Sequence, residues 1–291
     1  MIEVGEAGEG FRSGFVALLG RPNVGKSTLL NQIIGTKVAI TSPVPHTTRT
    51  RVRGVLDRED CQIVFVDTPG IHKPKTALGT RLNETASHTI GDADVCVFMV
   101  EANSVIGSGD RFIADRLPTG TVIAVNKVDR ANRKQVLDHL ASAARDLGID
   151  EAEYFPVSAL TGDGVPELVE HLVSRMPAGP RYFPSDTVTD VPEAFYVAEL
   201  VREQLIRHAE AELPHSIACR VTEWEWPRIR CEILVERESQ KGIVIGRNGA
   251  VLKAAGIAVR EQLAPGAYLE LFVKVEKSWQ RHPELIERLG Y

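Results

Sequence analysis

Between residues 14 and 177 the chain alternates short, nearly continuous apolar runs with longer stretches whose apolar positions recur every three or four residues. The runs are GFVALLG (14–20), IVFVDTPG (63–70), DVCVFMVEA (94–102), TVIAVNKVD (121–129) and EYFPVSAL (153–160). Strands apolar on both faces are what a parallel sheet covered on both sides requires. The helical stretches fall at 27–35, 79–91, 107–117, 132–147 and 164–176. This alternation predicts an α/β domain, a mostly parallel sheet with helices on both faces.

The pattern then breaks. MPAGPRYFPSDTVTDVP (176–192) holds four prolines and no periodicity, the composition of a boundary. Beyond it, residues 192–214 carry a helical pattern, 215–226 and 228–239 alternate like paired antiparallel strands, 241–264 predict helix, glycine turn and helix, and 267–278 a last strand. The order α-β-β-α-α-β implies a second, smaller α+β domain. The expected division is a flexible acidic, glycine-rich extension at 1–13, a first domain at 14–177, a linker at 178–192 and a second domain at 193–291.

Composition narrows this only a little. The chain has 291 residues, 43% of them hydrophobic, and a net charge of −5. Two ordinary packed cores are affordable, and no global basicity points to nucleic acid. Cys61, Cys96, Cys219 and Cys231 form no C-x-x-C pair and suggest reduced core residues of a cytoplasmic protein. The first residues lack the basic and apolar regions of a signal peptide, and no apolar run approaches 18 residues.

The chemistry lies at strand ends. GRPNVGKS (20–27) fits the phosphate-loop pattern, with Gly20, Gly25, Lys26 and Ser27 in register after a strand and before a helix. A glycine turn that merely connects the two elements is the weaker reading. In the favoured one, backbone N–H groups from Gly20, Arg21, Asn23, Val24 and Gly25 through Thr28 wrap a phosphate at a helix N-terminus, with Pro22 part of the same loop. Lys26 pairs with the β and γ phosphates and Ser27 binds Mg²⁺. In DTPG (67–70) Asp67 reaches Mg²⁺ through water, Thr68 and Pro69 shape the turn, and Gly70 brings its N–H to the γ-phosphate. In NKVD (126–129) the Asp129 carboxylate accepts two hydrogen bonds from guanine that adenine cannot offer, so GTP and GDP are the expected ligands. Asn126, Lys127 and Val128 hold the base and its loop, and Ser158, Ala159 and Leu160 offer backbone groups to its edge. A threonine in TSPVPHTTRT (41–50), Thr47 or Thr48, could ligate Mg²⁺ while the γ-phosphate is present. His46 and His72 flank these loops, but phosphoryl transfer needs little base chemistry.

Taken together, the phosphate loop, DTPG and NKVD make residues 14–177 resemble the translation-factor-related GTPases. That resemblance favours Thr48, which precedes an Arg49 shared by related sequences. It also gives Asn23 a role, because in related GTPases with this loop an Asn here helps hold K⁺ beside the phosphates. Lys26, Asn23, Thr48 and Gly70 are therefore the expected catalytic set. The position that often carries a water-orienting Gln is Ile71, so slow intrinsic turnover is expected.

The second domain resembles the type II KH fold. Gly246-Arg247-Asn248-Gly249 stands between two helical segments, as a clamp for single-stranded RNA backbone would. Lys241, Arg247 and Lys253 supply local charge and Ile243, Val244, Ile245 and Val251 a groove floor, although residues 193–291 hold 14 Lys and Arg against 15 Asp and Glu. Trp224, Trp226 and Trp279 are candidates either for base stacking or for core. A GTPase of this loop type joined to a C-terminal type II KH domain resembles the Era family, over nearly the whole chain. The resemblance implies binding of the 3′ region of small-subunit ribosomal RNA, assistance to small-subunit assembly, a monomer, and a cytoplasmic protein with a peripheral membrane fraction. The acidic balance argues against strong attraction to anionic lipid. The rival readings are a switch acting on another RNA or in RNA modification, and an RNA-binding adaptor with weak nucleotide turnover.

Overall fold

The computed structural model describes residues 10–71, 77–208 and 216–291. They divide into two compact units, one of residues 10–39, 48–71 and 82–190, the other of 40–47, 77–81, 191–208 and 216–291.

The first unit is built on a six-stranded sheet in the order β2-β3-β1-β4-β5-β6. Its strands are β1 (Arg12–Gly20), β2 (Val52–Asp57), β3 (Cys61–Asp67), β4 (Val95–Glu101), β5 (Val122–Asn126) and β6 (Glu153–Pro156). All neighbours are parallel except β2, which runs antiparallel to β3. β2 is absent from the sequence reading, because Gly54 interrupts its alternation. Gly54 is required there: a Cβ would strike Leu30 and Ile34 of helix α1 (Lys26–Ile34). β3 is buried along its whole length, as the apolar run predicts. Helices α2 (Ala77–Asp92), α3 (Ser108–Ala114), α4 (Arg133–Asp146) and α5 (Val165–Arg175) complete the α/β pattern. β1 lies between β3 and β4, so the chain leaves it at the point where strand order reverses, where α/β sheets open a crevice for ligands.

The segment expected as a linker is bonded to this sheet. Arg12 bridges Ala178, Val55 N–H donates to Val188 O at 2.9 Å, and the Thr189 hydroxyl donates to Arg53 O at 2.6 Å. β1 also begins at Arg12, inside the stretch expected as an extension; residues 1–9 of that stretch lie outside the described residues.

The second unit contains α6 (Glu193–His208), β7 (Ala218–Glu225), β8 (Arg228–Val235), α7 (Glu238–Ile245), α8 (Ala250–Arg260), β9 (Tyr268–Val275) and α9 (Pro283–Arg288). β7 pairs antiparallel and β8 pairs with β9 in parallel, so β8 is central. The sheet and helices α6, α7 and α8 enclose Leu200, Val201, Ile217, Cys231, Ile233 and Val259. Taken as one stretch, Glu238–Arg260 is 23 residues long and apolar enough to cross a membrane. Gly246 and Asn248 break it into helices of 8 and 11 residues, each shorter than the ~20 a bilayer needs.

Candidate nucleotide site and RNA-binding turn

β1 ends on Gly20 and α1 starts at Lys26, so the sheet and one helix fix both ends of the phosphate loop. Gly20 has φ 149° and Gly25 φ 108°, values that glycine alone adopts readily. Space decides as well: a Cβ on Gly20 would meet Met99 O, and one on Gly25 would meet the Asn126 amide. Asn23 is exposed and takes the left-handed conformation (φ 65°), which Asn tolerates better than most residues.

Lys26 is buried, and its ammonium donates to Gly20 O at 3.2 Å and Arg21 O at 3.1 Å. Burial lowers its pKa, and Asp67 pulls it back up. Burial likewise raises the Asp67 carboxyl, against the pull of Lys26 and of hydrogen bonds from Ser27 and Thr48. The Ser27 hydroxyl donates to Asp67 Oδ2 at 2.5 Å. Thr48 Oγ1 lies 3.0 Å from Ser27 Oγ and donates to Asp67 Oδ2 at 3.3 Å. Asp67 Oδ1 is buried with no hydrogen-bond partner among the described residues. Three oxygen-bearing side chains thus converge, with a carboxylate oxygen to spare, which is the donor chemistry of a hard cation such as Mg²⁺. The neighbouring Thr47 hydroxyl turns away and donates to Val44 O at 2.7 Å.

The remaining loop residues serve mainly to hold the loops together. Gly70 sits against Pro22, where a Cβ would strike the Pro22 backbone, and Ile71 N–H donates to Gly20 O at 3.4 Å. Pro69 is buried, and the Thr68 hydroxyl is bound to Leu18 O at 2.7 Å. The Arg21 side chain leaves the loop for Asp110 (3.3 Å), so its carbonyl rather than its guanidinium faces Lys26. Thr28 is half-buried in the first turn of α1. His46 lies in the segment before Thr48; His72 lies outside the described residues.

At the end of β5 the loop of residues 126–129 is braced from three sides. Asn126 Nδ2 donates to Val24 O at 2.8 Å, while its Oδ1 accepts from Ala159 N–H at 2.9 Å. Lys127 Nζ donates to Asn23 O at 2.9 Å and pairs with Glu101. Ser158 Oγ donates to Asp129 Oδ1 at 2.6 Å. Val128 packs on the core beneath, and Leu160 is exposed. The sequence reading gives Ser158 only a backbone role and leaves Glu101 and Asp110 out. The available signal for Glu101 is its place at the end of β4, in register with Asn126.

In the second unit Gly246 has φ 74° and ψ 169°, a region essentially closed to other residues, and a Cβ there would meet Val251. Asn248 and Gly249 are left-handed (φ 53° and 76°), and Gly249 faces open space. Arg247, Asn248 and Lys253 are exposed, with Lys241 and Ile245 half-buried beside them. One expectation changes, and one open choice is decided. Val244 is 2% exposed and belongs to the core, which leaves Ile243, Ile245 and Val251 around the turn. Trp279 is wholly buried with its indole N–H on Ser216 O at 2.8 Å, so it is core and not a stacking platform. Trp224 and Trp226 are exposed.

With this geometry in hand, comparison with known proteins is decisive. A family described as 50S ribosome-binding GTPase matches residues 15–127, and the KH domain family matches residues 212–280. GTPase Era of Mycobacterium tuberculosis is 45% identical over 97% of this chain and 99% of its own. The chain belongs to the GTPase Era family. GTPase Era of Rippkaea orientalis is likewise 45% identical, over 98% of this chain and 94% of its own. A variant of Aquifex aeolicus Era solved with GDP and AlF₄⁻ superposes with a TM-score of 0.90 at 38% identity, over 97% of this chain and 99% of the other. An Era solved with MgGDPNP and nucleotides 1506–1542 of 16S ribosomal RNA gives 0.91 at 38% identity and the same coverage. Membership of the Era family makes the chain a GTPase whose C-terminal unit is a KH domain.

Proposed function

We propose that this protein is a GTP-hydrolysing switch that binds the 3′ region of 16S ribosomal RNA through its KH unit and assists small-subunit assembly. The observation that carries this reading is the Gly246–Gly249 turn, which exposes Arg247 and Asn248, leaves open space at Gly249 and is followed by the exposed Lys253. It stands in a chain that shares its fold, at a TM-score of 0.91, with an Era solved on nucleotides 1506–1542 of that RNA. The exposed charges suit phosphates, and the half-buried Ile245 suits the face of an unstacked base.

In the nucleotide site Asp129, held by Ser158, selects guanine, and Asn126 and Lys127 tie the base loop to the phosphate loop. Lys26 brings a buried positive charge to the phosphates. Ser27, Thr48 and Asp67 would hold Mg²⁺; when bound, it offsets charge on the β and γ phosphate oxygens. Because phosphoryl transfer depends on positioning and electrostatics, the buried apolar Ile71 leaves turnover slow rather than absent. Asn23 would help to hold K⁺, whose charge would assist transfer, and hydrolysis at equal rates in K⁺ and Na⁺ would remove that role. GTP orders residues 46–49 and 67–70 and raises RNA affinity; by linkage, RNA then raises GTP affinity equally. A monomeric state and a peripheral membrane fraction belong to the same reading; sedimentation equilibrium and flotation with anionic vesicles test them.

The main test is binding of a single-stranded RNA from the 16S 3′ end, with GDP and with GDPNP, in K⁺ buffer at fixed salt. Tighter binding with GDPNP, lost in Gly249→Asp, supports the switch and its grip. Gly249 is the position to change because its surroundings are empty, and Asp tolerates the left-handed backbone. Equal binding in both states would leave two uncoupled modules, and no binding would refute the ribosomal reading.

A further inference from the structure

Two carboxylates outside the loop motifs reach toward the phosphate loop, one at each end of the segment that joins β4 to α3. Asp110 Oδ2 meets the Arg21 guanidinium at 3.3 Å and accepts from Gly107 N–H at 2.9 Å, so it ties a side chain of the loop while closing the first turn of α3. Glu101, the last residue of β4, acts on the loop's backbone instead. It pairs with the Lys127 ammonium, and the same ammonium donates to Asn23 O at 2.9 Å. All of these residues lie in the first unit.

Stability is a weak reason for the Glu101–Lys127 pair. Its side chains are 28% and 21% exposed, and ion pairs that water reaches contribute little to stability. Position argues for more. The parallel ladder sets Glu101 opposite Asn126, and Ala102 N–H donates to Asn126 O at 2.7 Å. The carboxylate therefore stands on a strand end, a firmer base than either loop. Asn23 and Lys127 both have left-handed backbones, at φ 65° and 66°. A non-glycine residue keeps such a conformation only where its surroundings hold it, and one ammonium bridges these two. A lysine side chain has large rotamer freedom, so an ammonium resting on one carbonyl alone would leave it readily. The bond to Glu101 removes that freedom.

We propose that Glu101 is a positioning residue for the nucleotide: by pinning the Lys127 ammonium on Asn23 O, it clamps the loop of residues 126–129 to the phosphate loop. The proposal rests on those two loops holding the base and the phosphates. The two bonds of the clamp involve none of Ser27, Thr48 and Asp67, so it serves GDP and GTP alike. Two effects of the carboxylate then oppose each other. Its negative charge disfavours an anionic ligand. Its hold on Lys127 favours that ligand, because a molecule that joins two loops binds more tightly when the loops are already set in place. The sign of the effect of Glu101→Gln decides which dominates.

The test uses the full chain with Glu101→Gln, Glu101→Asp, Lys127→Met and the double variant of Glu101→Gln with Lys127→Met. Affinities and dissociation rates are measured with fluorescent GDP and GDPNP at fixed salt and Mg²⁺, together with thermal midpoints of the nucleotide-free protein. Glu101→Gln should weaken both nucleotides about tenfold, the loss expected of a charge-assisted bond, through faster dissociation. Glu101→Asp, which keeps the charge on a shorter arm, should recover part of the loss. The thermal midpoint should move by no more than about 4 °C, the most that a water-exposed ion pair gives. Adding Glu101→Gln to Lys127→Met should weaken binding no further. Unchanged or tighter binding in Glu101→Gln would mean that the charge acts only by repulsion, and additive losses would mean that it acts without Lys127; either result overturns the proposal. If Lys127→Met is defective while Glu101→Gln is not, the role of Glu101 alone fails. If Lys127→Met also binds normally, the assignment of residues 126–129 to the nucleotide fails first, and this proposal falls with it.

Discussion

Two glycine-bearing turns in this chain are suited to phosphate, residues 20–27 and 246–249, and they are built in opposite ways. In the first, the polar groups are tied down: Asn126 and Lys127 reach in from another loop to Val24 and Asn23, Ser27 bonds Asp67, and Lys26 closes on Gly20 of its own loop. In the second, the side chains of Arg247 and Lys253 reach into solvent and form no ion pair among the described residues. The first turn suits a small ligand of fixed shape, whose recognition improves when the groups are held in place beforehand. The second suits a flexible polymer, to which it offers a shaped backbone and free charges.

Lys26 separates the two turns most strongly. Lys26→Ala should lower GTP and GDP affinity by about 100-fold, the worth of the charge-assisted bonds lost, and should leave nucleotide-free RNA binding unchanged. Titration with each ligand checks both halves, and a parallel loss of RNA binding would show that the two turns are not separate devices. Next in size is the contrast between the two KH glycines. Gly246→Ala should cost about 1–3 kcal/mol in thermal or denaturant unfolding, from its glycine-only backbone and the approach of Val251. Gly249→Ala should cost about 1 kcal/mol or less, since it adds backbone strain without a clash.

Ser158→Ala sharpens the picture of the braced site. Asp129 loses a hydrogen bond of 2.6 Å, and GDP affinity should fall by about 1 kcal/mol with a narrower preference for guanine over adenine nucleotides. Competition binding with GDP and ADP measures it. The smallest effects belong to the open turn. Arg247→Gln and Lys253→Gln should each weaken RNA about equally across sequences and lower the salt slope of binding by about 0.7, the value for one phosphate contact on a single strand. A sequence-selective loss would instead mean that these side chains read bases.

The sequence reveals most clearly what short-range backbone chemistry dictates. A phosphate loop needs glycine at fixed offsets between a strand and a helix, and a parallel strand needs an apolar run, so β1, β3, β4 and β5 and their loops are visible. Contacts between residues far apart in the chain are not. Glu101 looks like the polar end of a strand until β4 and β5 lie in register. Glu199 and Arg202, three residues apart, look like an ordinary solvent-facing helix pair. Only packing of residues 40–47 against α6 reveals them as buried. β2 stays hidden because Gly54 substitutes space for an apolar side chain. Trp279 cannot be divided between core and ligand surface by type, since an indole with a satisfied N–H is equally at home in either.

The stretch 178–190 also bears on where this chain could be cut. Gln62 is fully buried near the start of β3, and its amide is satisfied by Tyr182 N–H at 2.7 Å, Phe183 N–H at 2.9 Å and Phe183 O at 2.9 Å, with Asp57 at 2.9 Å completing the set. A fragment ending at residue 177 would expose this amide to three orphaned bonds, whereas one ending at 190 would carry its own cover. The proline-rich tail is thus the last strip of the GTPase unit's wall, and a minimal nucleotide-binding fragment should keep it.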